Sequence, residues 1–284
     1  MRSDSPDAMQ GLLAITGFRL TTNDLPGLRR FYMAVLGFAA DGPEQPIAPQ
    51  ELRLLGLTGT GRRQTLRLGQ ETVAIDQFDP PGRPYPGGNA ASPWFQHLAL
   101  VVPDMAEAYR RLEGVVPISV GGPQQLPASS GGVSAFKFRD PDGHPLELLA
   151  FPAGAVPAAW AGKSTTGAQI GLGIDHSAIS IADVASSAAF YAGLGLRAGD
   201  RTTNLGIEQQ QLDGLPDVRV AVVPMLPSPS TPHLELLGYA IPTPGRGKQM
   251  QPNDVAATRI VWNGERAALL RDPDGHLHQV EAGR

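Results

Sequence analysis

The chain of 284 residues contains no cysteine. Disulfides, thiolate metal sites, iron–sulfur clusters and a cysteine nucleophile are all excluded by that absence. Aromatic residues are sparse at 6%, which leaves no stacking platform for nucleic-acid bases. Positive charge is also scarce: 23 Lys+Arg face 27 Asp+Glu, a net charge of −4, with no basic block. Nucleic acid is not the expected partner of such a chain. No apolar run approaches the ~20 residues that span a bilayer. The opening MRSDSPDAMQGLLAITGF lacks the continuous apolar stretch of a signal peptide. The expectation is a soluble, cytoplasmic protein with no membrane partner. Neither a Gly-x-Ser-x-Gly elbow nor the mark of a Ser/His/Asp triad is present.

Apolar residues, by contrast, reach 42%, enough to build a core. Gly (34) and Pro (27) together make about a fifth of the chain, which implies many turns and short elements. The chain also repeats itself. ITGFRLTTNDLPGLRRFYMAVLGF (15–38) returns as IDHSAISIADVASSAAFYAGLGL (174–196). Gly17 and His176, Asp24 and Asp183, and Phe31 and Phe190 each stand 159 residues apart. FQHLALVVPD (95–104) has the same strand-then-Asp pattern, and RDPDGHPLEL (139–148) recurs as RDPDGHLHQV (271–280). Four related units in two halves account for all of this.

Each unit reads as βαβββ. A strand ends at an Asp that suits a helix N-cap, and Asp104–Glu107 has the form of a capping box. The helix follows, with Leu25, Leu28, Phe31/Tyr32 and Leu36 on one apolar stripe. Three strands come next, the last two joined by the tight turn Asp-Pro-Asp-Gly. Units one and two form an expected N-terminal domain at 10–152. Residues 153–171 read as a linker, and units three and four form a C-terminal domain at 172–284. A further linker is expected over 241–254. Asp140 and Asp272 lie 132 residues apart rather than 159, so the fourth unit is truncated, losing its helix and second strand.

Paired βαβββ units with Phe31-Tyr32, Leu36-Gly37-Phe38, Asp140–Glu147 and Asp272–His276 resemble the vicinal oxygen chelate superfamily. That group includes glyoxalase, bleomycin-resistance proteins and extradiol dioxygenases. The resemblance implies an α+β fold in which the units pair into two open-barrel domains, each with a cleft. It also implies a divalent metal (Zn, Mn, Fe or Ni) that chelates adjacent oxygens of a small molecule. In this family His or Gln on the first strand and Glu on the last strand of each unit hold the metal. Carried over position by position, the first half offers Gly17, Ala74, His97 and Glu147. The second offers His176, Glu235, Gln279 and one of Ala256, Ala257 or Arg259.

Two functions follow as expectations. One is a glyoxalase- or dioxygenase-like enzyme, a metal-dependent lyase or isomerase, with His176, Glu235 and Gln279 as ligands and Glu235 also moving a proton. His97 and Glu147 form a fallback site. The other is a small-molecule binding protein with vestigial metal sites and no metal. Extradiol chemistry is disfavoured, because an oxygenase iron takes two His and one carboxylate and neither half supplies two His. Arg19 and Asp76 fall on the cleft face by period two and are expected to pair where a metal once sat, as substrate-binding residues or a rim ion pair. His144 and His276 read as structural parts of the turn, His278 faces away from Gln279, and His233 reads as exposed. Without its helix, unit four leaves Thr258, Ile260 and Trp262 uncovered. The N-terminal half, the linker around Trp160 or a second subunit must bury them, and a homodimer is the expectation.

Overall fold

The computed structural model describes residues 11–229, 231–240 and 249–283. Residues 241–248 of the expected second linker lie outside these, as do residues 1–10. The four units appear in order. Unit one holds β1 (Ala14–Thr22), α1 (Leu25–Ala34), β2 (Ala39–Ala40), β3 (Gln45–Pro46), α2 (Pro49–Leu54), β4 (Thr60–Leu68) and β5 (Glu71–Asp79). Unit two holds β6 (Gln96–Val101), α3 (Met105–Arg110), β7 (Val116–Pro117), β8 (Gln124–Gln125), β9 (Ser134–Arg139) and β10 (Pro145–Ala150). Unit three holds β11 (Gly173–Ile181), α4 (Val184–Gly193), β12 (Arg197–Ala198), β13 (Thr202–Leu205), α5 (Ile207–Asp213), β14 (Arg219–Leu226) and β15 (His233–Tyr239). Unit four keeps only β16 (Arg259–Gly264), β17 (Ala268–Arg271) and β18 (Leu277–Ala282).

Local chemistry explains the repeated strand–helix step. The side chains of Asp24, Asp104 and Asp183 accept from the backbone N–H of Gly27, Glu107 and Ser186 at 3.0, 2.9 and 2.6 Å. Each satisfies one of the orphan donors at its helix start. Leu25, Leu28, Tyr32 and Leu36 are buried together, as their helical spacing requires.

The strands form two open sheets. The first runs β17-β18-β16-β1-β5-β4-β2, with β3 also on β4; the second runs β12-β14-β15-β11-β6-β10-β9-β7, with β13 on β14 and β8 on β9. The expected assignment of one paired set of units to each half is therefore corrected. Unit one shares its sheet with unit four, through antiparallel β1 and β16, and unit two shares its sheet with unit three, through antiparallel β6 and β11. All four first strands carry the same kind of open edge, so sequence pattern alone does not choose their partners.

What joins the units of one half is side-chain packing. A main apolar cluster draws Leu20, Leu28, Leu100, Phe138, Ile179, Leu236, Ile260 and Trp262 from all four units. The Asp-Pro-Asp-Gly-His turns lock it. Asp140 accepts from Tyr32 Oη at 3.3 Å, and Asp272 from Tyr191 Oη at 2.9 Å. His144 Nε2 reaches the Thr21 and Val255 carbonyls at 3.1 and 2.9 Å, and His276 Nε2 the Ser180 carbonyl at 2.9 Å. Both histidines are structural, as read from the motif. Ile260 and Trp262 are fully buried in the main cluster. The main cluster, with Tyr191 of α4 against His278, thus covers the truncated unit, and among the described residues the uncovered face that motivated a homodimer is absent. Trp160 packs elsewhere, on Val101 and Leu172.

Candidate metal centre

The pairing of β6 with β11 decides the site. Ala178 lies opposite His97, and His176 opposite Ala99. On the outer sides, Glu147 of β10 is in register with Ala99, and Glu235 of β15 with Ala178. Two histidines and two glutamates therefore converge over a floor of two alanines. Strand alternation sends the neighbours Leu98, Leu146, Leu148, Leu234 and Leu236 into the core on the other face.

Distances show the convergence. His97 Nε2 is 2.7 Å from Glu147 Oε2, and His176 Nε2 is 3.8 Å from Glu147 Oε2 and 3.5 Å from Glu235 Oε2. One ligand atom each from His97, Glu147 and His176 lies within 4.8 Å of the other two. The His97 and His176 rings meet edge to face at 5.7 Å.

His176 is aimed from behind. A bulge between Ile174 and His176 in β11 leaves Asp175 as the extra residue. A bulge re-aims side chains that alternation would send to opposite faces. Asp175 Oδ2 consequently sits 3.0 Å from His176 Nδ1, and Asp175 Oδ1 accepts from the Trp160 indole N–H at 2.7 Å. A carboxylate on Nδ1 leaves Nε2 free to bind a metal and makes it more basic.

The electrostatics suit a cation. Burial pushes the His176 imidazolium down, but Glu235, Asp175 and Glu147 outweigh it and raise its pKa to about 9. Burial pushes Glu147 and Glu235 up. Lys137 and His97 overcome this for Glu147, and His176 and His233 for Glu235, so each carboxyl lies at about 2. Burial lowers the pKa of His97 despite Glu147 beside it. His97 Nδ1 has no hydrogen-bond partner, and the one polar group close to Nε2 among the described residues is the Glu147 carboxylate at 2.7 Å. Donors crowded together without satisfying one another, with negative charge around them, fit a divalent metal bound by imidazole and carboxylate.

His97, Glu147, His176 and Glu235 thus form one set rather than two. The ground for setting aside two His and one carboxylate also falls away, since the two histidines come from different halves. Gln279, expected beside His176, stands in the other sheet on β18 and donates to Glu51 Oε1 at 2.9 Å. His233, expected to be exposed, is half-buried at the rim with Nε2 3.5 Å from Glu235 Oε1.

Sequence reasoning missed Asp175 and Lys137, took His233 as exposed, and named Trp160 only as cover for unit four. Lys137 lies opposite Glu147 on β9, and its Nζ is 2.7 Å from Asp213 of α5. A lysine between Phe136 and Phe138 in the middle of a strand is a readable signal. Asp175 gave none, because strand alternation assigns it to the wrong face.

The first sheet holds the matching cleft, and its register places Gly17, Ala74, Arg259 and Gln279 where the second has His176, Glu235, His97 and Glu147. That set cannot hold a metal. Ions of the protein fill it instead. Arg19 pairs with Glu51 and Glu281, and Asp76 with Arg63 and Arg259 at 2.6 Å each. The expected Arg19–Asp76 pair is corrected accordingly: both side chains are present, each with other partners. Burial lowers the Arg259 pKa to about 10, even with Asp76 against it.

Residues 14–148 match the family model of the Glyoxalase/Bleomycin resistance protein/Dioxygenase superfamily. Among solved structures, the fold is similar to glyoxalase I from Zea mays, with TM-score 0.58 and 13% identity, covering 94% of this chain and 91% of that one. It is also similar to a putative dioxygenase from Bacillus subtilis, with TM-score 0.57 and 15% identity, covering 96% and 86%. No protein of curated function matches the chain in sequence.

Proposed function

We propose that the protein is a divalent-metal-dependent lyase or isomerase acting on a small molecule with adjacent oxygens, at the cleft of the second sheet. One observation carries this reading: His97, Glu147, His176 and Glu235 converge from four strands, with His176 oriented by Asp175. A metal held by those four side chains would polarise a substrate carbonyl as a Lewis acid. The chain's own residues do the remainder. Glu147 is the deeper carboxylate, fixed between His97 and Lys137. Glu235, with 20% of its side chain exposed against 8% for Glu147, stands at the mouth where substrate enters. Glu235 Oε2 is placed to take a proton from the carbon beside the carbonyl and return it to the neighbouring carbon. The alanine floor leaves room above the donors. Lys137, Asp213 and Tyr239 wall one side, with Tyr239 Oη donating to Asp213 Oδ2 at 3.1 Å.

The test is elemental analysis of dialysed protein, with His97→Ala and His176→Ala variants, followed by assay of α-hydroxycarbonyl and hemithioacetal isomerisation. About one metal per chain, lost in both variants, is the expected result. Loss in only one variant would break the single-site reading. No uptake of Mn, Fe, Co, Ni or Zn would leave the binding-protein reading, to be followed by thermal-shift screening of ligands. A second enzymatic reading rests on the close trio of His97, Glu147 and His176, the two-His, one-carboxylate set of oxygenase iron. Catechol-dependent oxygen uptake by the Fe(II)-loaded protein would favour it over proton transfer.

A further inference from the structure

The first sheet's cleft has lost its metal donors, yet it is built around one carboxylate. Glu51 Oε1 accepts from Arg19 Nη1, from Arg63 Nη2 at 2.7 Å and from Gln279 Nε2 at 2.9 Å; Oε2 accepts from Arg63 Nη1 at 3.0 Å. These donors stand on β1, β4 and β18, which are fixed parts of the sheet. Planar, forked guanidinium donors aimed at one carboxylate are a recognition geometry, not a chance surface pair. Two further polar atoms there are buried without a partner, Arg259 Nε and Gln279 Oε1. Arg259 is completely buried and Gln279 is 2% exposed.

The carboxylate itself comes from the least anchored element nearby. α2 is six residues long. Its apolar contacts belong to a small separate cluster of Ile47, Leu52, Leu55 and Phe78, not to the main core. With Glu51 in place, three arginines (19, 63 and 259) face three carboxylates (Glu51, Asp76 and Glu281). Without it, one positive charge is left over in a buried site.

We propose that the cleft of the first sheet is a carboxylate-binding site that the chain closes with its own Glu51, and that the carboxylate of a small organic acid takes the same donors when α2 moves away. Glu51 is then an internal ligand and α2 a displaceable cover. This inference is independent of the metal centre, whose residues lie in the other sheet.

Acetate is the probe, with chloride at equal ionic strength as the control. In Glu51→Ala, acetate should raise the melting temperature by several degrees and saturate, while chloride should not. Adding Arg19→Met, which removes one of the donors to Glu51, should abolish that response. Should Glu51→Ala fail to fold, Glu51→Ser supplies the same readout, since it also empties the donors and loses the charge while keeping a small polar side chain. Equal effects of acetate and chloride would overturn the assignment and leave a closed ion-pair cluster. In the unaltered protein, the amides of Leu52 and Leu55, which donate to the Ala48 and Glu51 carbonyls, report whether α2 stays in place. Severalfold faster hydrogen exchange with rising acetate, again saturable, is the expected result. Exchange that does not respond to acetate would overturn displacement of Glu51 in the native chain.

Discussion

Single side chains set the properties of both clefts. Asp175 is the one on which the metal reading leans most after the four donors. Removing its charge in Asp175→Asn should weaken metal binding about 10- to 100-fold while leaving the fold intact. Trp160→Phe, which deletes only the indole N–H to Asp175, should lower affinity less and in the same direction. Titration calorimetry with Zn or Mn, alongside circular dichroism, checks both. A second buried histidine works in the opposite sense. The Trp262 indole N–H donates to His278 Nδ1 at 3.0 Å, so the ring proton sits on Nε2, 2.9 Å from Tyr191 Oη. Burial holds this His at about 4, below its ordinary 6.5. The unfolded chain therefore takes up the proton first as pH falls. The stabilisation from keeping His278 neutral is whole above pH 6.5 and is lost as pH drops towards 4, up to about 3 kcal/mol. Urea denaturation of the wild type and His278→Gln at a series of pH values should show their stability difference shrinking across that window.

Among elements, the turns and bulges matter more than the long strands. The Asp-Pro-Asp-Gly-His turns place Gly143 and Gly275 at φ of 98° and 101°, where a side chain is strained. Both glycines to alanine should destabilise, by about 1–3 kcal/mol from backbone strain alone. Gly143→Ala should cost more, because its Cβ would meet Tyr85 Cβ at 3.2 Å, whereas nothing lies near a Cβ at Gly275. Denaturant midpoints of the two variants test the ranking. The bulge in β11 has a counterpart in β1, between Ile15 and Gly17. The same device orients Asp175 in one copy and serves no donor in the other, where Gly17 replaces the histidine.

For the whole molecule, the arrangement of units predicts how it comes apart. Each half contributes one unit to each sheet, and each supplies one His and one Glu to the candidate metal centre. Expressed alone, 1–152 and 172–284 should expose the edges of their first strands and self-associate. Mixed or co-expressed, they should form a one-to-one complex that regains metal binding. Size-exclusion chromatography with metal analysis decides this. A stable monomer of either half would count against the crossed sheets. Among the described residues no helix is long and apolar enough to cross a membrane.

Much was legible in the residues themselves. The N-cap aspartates, the helix stripe, the four-fold repeat, the missing pieces of unit four and the structural role of the two turn histidines all follow from local spacing. Local spacing is set by hydrogen bonds and packing within about ten residues, so sequence carries it directly. The identities of His97, Glu147, His176 and Glu235 were also readable. Their union in one cleft was not, because it depends on β6 lying beside β11, a pairing between strands with interchangeable edges. The same holds for Gln279 and for Arg19 with Asp76, whose partners Glu51, Arg63 and Arg259 arrive from α2, β4 and β16. Sequence alone thus determined the units and the donors each carries. Tertiary structure decided which donors meet, since strand register and a single bulged residue set where charges converge in a low-dielectric cleft.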